Sequence, residues 1–143
     1  MRFVILIFCL FSAAYINAQI KVPAGFRLVK GESPVGREDY YEKGNYRIFM
    51  DSPFQADGTP SDTDDEKRAL LTDIYGIAFR VTKDGIIYGT GYTNKKFYYI
   101  VVGQGASFLV SSPLNDTGFS NYSAWLMNSI RSALKSGKEL YFE

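Results

Sequence analysis

The stretch IAFRVTKDGIIYGTGYTNKKFYYIVVGQGASFLVS, residues 77–111, decides the fold. It holds four runs rich in β-branched and aromatic residues: Ile77 to Thr82, Ile86 to Tyr92, Phe97 to Val102 and Ala106 to Ser111. Between them stand turn residues, Lys83-Asp84-Gly85, Thr93-Asn94-Lys95 and Gly103-Gln104-Gly105. Links this short leave a strand room only to reverse and pair with the strand before it, so the stretch predicts an antiparallel meander. The run Phe97-Tyr98-Tyr99-Ile100-Val101-Val102 is continuously apolar or aromatic, which predicts a central strand covered on both faces.

Upstream, residues 19–37 are punctuated by Pro23, Gly25, Gly31, Pro34 and Gly36, and read as an extended arm with one short strand around Phe26 to Val29. From Tyr40 to Met50 the chain alternates, with Tyr46, Ile48 and Met50 on one parity and Arg47 and Phe49 on the other, as a strand does; Pro53 ends it. A loop follows by composition, and Thr63-Asp64-Asp65-Glu66 then has the form of a capping box. It opens a helix over 63–75 whose buried stripe is expected to be Leu70, Leu71 and Ile74, ended by Gly76.

Downstream, Tyr122, Trp125, Leu126, Ile130, Ala133 and Leu134 share one helical face, predicting a helix over 120–136 closed by Gly137. Leu140 to Phe142 reads either as a short terminal strand or as an ordered tail. Two helices on an antiparallel sheet define an α+β fold in a single domain.

The first residues have the parts of a secretory signal: Arg2, an apolar run from Phe3 to about Ala14, and a small-residue site ending at Ala18. Residues 1–18 are therefore expected to be removed before Gln19, leaving 19–143 as the working domain. The apolar run falls short of the roughly 20 residues a membrane-spanning helix needs, so no retained span is expected. The expected location is periplasmic or secreted, in soluble form.

The single cysteine, Cys9, lies inside that leader, and the chain has no histidine. A mature chain of this kind has no thiol and no imidazole, which removes disulfides, Cys or Ser nucleophiles served by histidine, and most transition-metal sites. No metal and no cofactor are expected. Basic and acidic residues are balanced at 15 each once Arg2 is gone, and neither sign forms a block. Nucleic acid is therefore not an expected partner, since it needs a basic face.

The acidic run Asp57, Asp62, Asp64, Asp65 and Glu66 lacks the glycine and the spacing of a calcium loop, and Asp64 to Glu66 suit the positive end of a helix instead. Gly89-Thr90-Gly91 and Gly103-Gln104-Gly105 are flanked by strands rather than by a helix, so they read as bulges or turns and not as phosphate loops. Catalysis without histidine or cysteine would have to use carboxylates, from among Glu32, Glu38, Asp39, Glu42 and Asp51, or Ser129 or Ser132 with Lys135. Asn115-Asp116-Thr117 and Asn121-Tyr122-Ser123 match the glycosylation pattern, Asn115 being the better placed of the two in its loop.

The remaining concentration is Tyr88, Tyr92, Asn94, Lys95, Lys96 and Tyr98 around the second hairpin turn. Tyrosine presents an apolar ring with a hydroxyl at its edge and is favoured at recognition surfaces, so these six residues are the candidate ligand- or partner-binding site. No segment carries a motif specific enough to name a family. The expected function is that of a small exported, non-catalytic binding protein recognising a protein or other ligand through a tyrosine-rich surface. A carboxylate-dependent hydrolase and a structural envelope component are the alternatives.

Overall fold

The computed structural model describes residues 18–31, 39–51, 63–137 and 140–142. The leader up to residue 17, Glu32, Glu38, Asp57 and Asp62 thus lie outside the described residues. In chain order the elements are β1 (Ala18–Ile20), β2 (Arg27–Val29), β3 (Tyr40–Lys43), β4 (Tyr46–Asp51), α1 (Asp64–Tyr75), β5 (Ala78–Val81), β6 (Ile87–Thr93), β7 (Lys96–Gly103), β8 (Ala106–Ser112), α2 (Thr117–Lys135) and β9 (Leu140–Phe142).

The four runs of residues 77–111 form the expected meander, β5 to β8, each strand antiparallel to the next. The sheet then grows beyond them. β8 also pairs antiparallel with β4, and β3 and β2 follow, giving seven strands in the order β2-β3-β4-β8-β7-β6-β5. The strand at the middle is therefore β8, with all seven of its residues buried, rather than the Phe97–Val102 run, whose strand β7 lies beside it. The displacement comes from the return pairing of β4, a contact between segments about sixty residues apart that turn chemistry does not report.

Successive residues of a strand face opposite sides of the sheet, so the registers assign each side chain to a layer. On one face α2 buries Phe119, Leu126, Met127, Ile130 and Ala133 against Ile48, Val101, Phe108 and Val110. On the other, Leu71 of α1 and Ile77 just beyond it pack on Ile100, Val102 and Leu109. The result is an antiparallel sheet with one helix on each face.

Both helices begin at side-chain caps. Thr63 Oγ1 accepts from the Glu66 N–H at 3.3 Å, as the capping box requires, and Gly76 closes α1 in the left-handed conformation. The second helix starts earlier than residue 120, because Asp116 Oδ1 accepts from the Phe119 N–H at 2.8 Å while Oδ2 accepts from the Tyr46 hydroxyl at 2.7 Å. One carboxylate thus caps α2 and ties it to β4.

The buried stripe of α1 differs from the expectation. Lys67 and Leu71 are buried, whereas Leu70 is 44% and Ile74 57% exposed. Two contacts set this rotation. At the N-terminus Asp64 Oδ1 accepts from the Gly105 N–H at 2.6 Å, and at the C-terminus the Tyr75 ring lies 4.8 Å from that of Tyr98. Positions 64, 67, 71 and 75 are one helical row, so fixing its ends turns that row to the sheet and Leu70 and Ile74 away from it.

Gly89-Thr90-Gly91 is neither bulge nor turn, for pairing runs without interruption from Ile87↔Val102 to Thr93↔Lys96. Its glycines make room. A Cβ on Gly89 would stand 2.5 Å from Ile77 Cγ2, and one on Gly91 would overlap Ile77 Cγ1. Gly103-Gln104-Gly105, by contrast, holds the β7–β8 turn, with Gln104 and Gly105 at positive φ.

Within the N-terminal arm, Ile20 joins the core. Ile20 is 3% exposed, and β1 pairs in parallel with β9, so Leu140–Phe142 is a strand.

Candidate functional site

The β6–β7 hairpin reverses through Asn94 and Lys95, both at positive φ (52° and 62°), which is the two-residue turn that matches strand twist. This tight reversal leaves Asn94 and Lys95 exposed at the tip. It also fixes the register Tyr92↔Phe97 and Thr93↔Lys96, and the register divides the six candidate residues.

Tyr88 and Tyr92 lie on the α2 face. Tyr88 is half-buried with its ring 6.1 Å from that of Tyr99, inside the layer that α2 covers. Tyr92 packs on Phe97 with ring centroids 4.5 Å apart and remains 58% exposed. Lys96 and Tyr98 lie on the opposite, α1 face. No single pocket can be lined by Tyr88, Tyr92 and Tyr98 together, since the sheet stands between them.

What the fold does gather is a second set around Lys96 and Tyr98. Arg47 on β4 is in register with Ser111 on β8, which is in register with Tyr98 on β7, placing the three in a row across the α1 face. Tyr40 on β3 shares that face, and the Arg47 guanidinium sits 4.9 Å from the centre of its ring. The stack holds the exposed arginine against the sheet. Beside it, Glu42, directly across from Arg47, is taken by Arg27 in an ion pair.

Lys96 senses the neighbouring Arg47. Partial burial pushes the Lys96 ammonium below the usual lysine range, and the Arg47 charge pushes it further the same way. Burial raises the Tyr98 phenol, with Arg47 opposing it. Among the described residues no carboxylate forms an ion pair with Arg47 or Lys96. Arg47, Tyr98 and Lys96 thus form a cationic surface that includes the Tyr98 phenol, with Ser111, 2% exposed, buried within the row.

Arg47, Tyr40, Ser111 and Tyr75 are absent from the sequence-based candidate set. The parity of Arg47 is legible in the alternation of β4, but which strand β4 joins is not, and without that pairing nothing puts Arg47 beside Tyr98.

Several carboxylates of the described residues have other work. Asp39 accepts from the Gly31 N–H at 2.9 Å and from Lys30 Nζ at 3.1 Å, which together lower its pKa. Asp84 is pulled down to about 2 by the Thr82 hydroxyl and then by Arg131, whose Nε is 2.8 Å away. Asp116 is lowered by Tyr46 and the Phe119 N–H. Each shift stabilises the charged form, opposite to what a general acid needs. Among the described residues no three of His, Cys, Asp or Glu are placed to hold a metal ion, and no helix is long and apolar enough to cross a membrane. Compared with protein families, curated proteins and solved structures, the chain matches none.

Proposed function

We propose that this chain is an exported, non-catalytic binding protein that recognises its partner through the α1 face of the sheet and the adjoining hairpin tip. The observation that carries the reading is the joint placement of Arg47, Lys96, Tyr98 and Tyr40 on one face, with no carboxylate among the described residues paired to either cation. Arginine held on an aromatic ring, beside tyrosines that offer both ring and hydroxyl, is the composition of interaction hot spots. Asn94 and Lys95 extend the surface at the turn, while the exposed ring of Tyr92 sits behind it on the far face.

Export is part of the proposal, supported by the charged start, apolar run and Ala18 site of the leader. The reading is tested by expressing the full chain in its host, fractionating the cells and determining the N-terminus of the recovered protein. A product outside the cytoplasm beginning at Gln19 is expected; an intact Met1 product in the cytoplasm would overturn export. The tagged protein should recover a partner in stoichiometric amount from that compartment, and Arg47→Ala with Tyr98→Ala should release it. Recovery unchanged by that pair of substitutions would move the binding surface elsewhere.

A further inference from the structure

We infer that the Arg47–Lys96 face binds a doubly charged oxyanion of the sulfate or phosphate class, free or carried on a larger ligand. This deepens the binding reading above and rests on it for biological meaning, but its chemistry can be tested without any partner.

The geometry follows from the register. Strands in a sheet lie about 4.8 Å apart and rise about 3.4 Å per residue, and Arg47 and Lys96 are two strands and two residues apart, so their Cα atoms are roughly 12 Å from each other. Both have long stems that can lean inward, and between their origins lie Ser111 and Tyr98. A ligand group seated above Ser111 would meet the planar, two-pronged guanidinium on one side and the point charge of the ammonium on the other. The Tyr98 hydroxyl would supply a neutral donor beside it, with the buried Ser111 forming the floor.

The charge balance argues for two negative charges rather than one. Four other cations of the molecule stand against carboxylates: Arg27 on Glu42, Lys30 on Asp39, Arg68 on Asp65 and Arg131 on Asp84. Glu42, the acid nearest in register to Arg47, is occupied by Arg27. Burial and then the Arg47 charge disfavour the Lys96 ammonium, and two cations without a carboxylate partner among the described residues are neutralised by a dianion but only half neutralised by a monoanion. The Tyr40 ring holds the guanidinium in place without neutralising it, so part of its ordering precedes binding.

The test is a titration of the ¹⁵N-labelled full chain, less its leader if export removes it, followed by NMR at constant ionic strength. Inorganic phosphate, sulfate, acetate and glucose 6-phosphate are the probes. Saturable shifts at Arg47, Lys96, Tyr98 and Ser111 are expected with phosphate and sulfate, with acetate weaker by about tenfold. Arg47→Gln and Lys96→Gln should each weaken phosphate by about three- to tenfold. Tighter binding of glucose 6-phosphate than of inorganic phosphate assigns a carried group, and equal binding assigns a free ion. Shifts that drift without saturating, that spread over all the lysines, that acetate matches, or that survive both substitutions would overturn the inference. If Arg47→Gln abolishes partner capture while no oxyanion binds, the binding reading stands and this one falls.

Discussion

Gly91 and Ile77 offer the sharpest test of how the α1 face is packed. Ile77 is 1% exposed and rests on the glycines of β6, and a Cβ at position 91 would overlap Ile77 Cγ1. The next nearest atoms, Ile77 Cδ1 and Tyr75 O, stand at 3.4 Å, an ordinary contact, so the conflict is with one side chain alone. Overpacking of this kind costs about 1–3 kcal/mol, and replacing a strand glycine returns roughly 0.5–1 kcal/mol of backbone entropy. Gly91→Ala should therefore destabilise by up to about 2.5 kcal/mol. Ile77→Ala alone should cost about 2–5 kcal/mol through the cavity it leaves. In the double variant the overlap disappears and the new methyl partly fills the cavity, so the loss should fall short of the sum by about 1–3 kcal/mol. Urea denaturation followed by the fluorescence of Trp125, the single tryptophan, measures all four corners of the cycle. Additivity within about 0.5 kcal/mol, or a Gly91→Ala protein more stable than the parent, would refute the packing argument.

Four further outcomes are expected. Gly118→Ala should destabilise by about 1–3 kcal/mol in the same assay despite alanine's higher helix propensity, because its Cβ would overlap the Tyr46 hydroxyl that bonds to Asp116. Ser123→Ala should stabilise by roughly 1 kcal/mol, since the buried Ser123 hydroxyl has no hydrogen-bond partner and sits within α2. Burial, aided by Tyr88, raises the Tyr99 phenol to about 12, so the unfolded state loses this proton first and stability should fall as pH rises from 10 to 12. In Tyr99→Phe that alkaline slope, read from thermal melts, should be shallower. Asp84 should titrate near pH 2 by carboxyl ¹³C NMR, its stabilising effect being present above the ordinary carboxylate range and lost as pH falls through 2. Thr82→Val and Arg131→Gln should each raise that pKa, since the Thr82 hydroxyl and then Arg131 hold it down.

Local chemistry was legible wherever it was complete within a few residues. The meander could be read because each of its turns lies in three or four consecutive residues, and the start of α1 because Thr63 meets the Glu66 N–H one turn away. The start of α2 at Thr117 lies ahead of the apolar face that predicted it, and the small size of Gly118 there is needed by Tyr46, a partner 72 positions away. Leu70 and Ile74 were expected inside because they are apolar, yet the rotation of α1 is set by Gly105 and Tyr98, which belong to other strands.

The candidate site divides along the same line. The sequence by itself identified Lys96, Tyr98 and the Asn94-Lys95 tip as neighbours, and it determined the hairpin whose turn exposes them. It also determined the chemistry without histidine and, beyond Cys9, without thiol. The register of the β6–β7 hairpin turned Tyr88 and Tyr92 away from Tyr98, and only the tertiary structure decided that Arg47 and Tyr40 take their place. The physical reason is the two-residue period of a strand: one sequence contains the parity of each side chain, but which parities share a face is settled only when β4 pairs with β8.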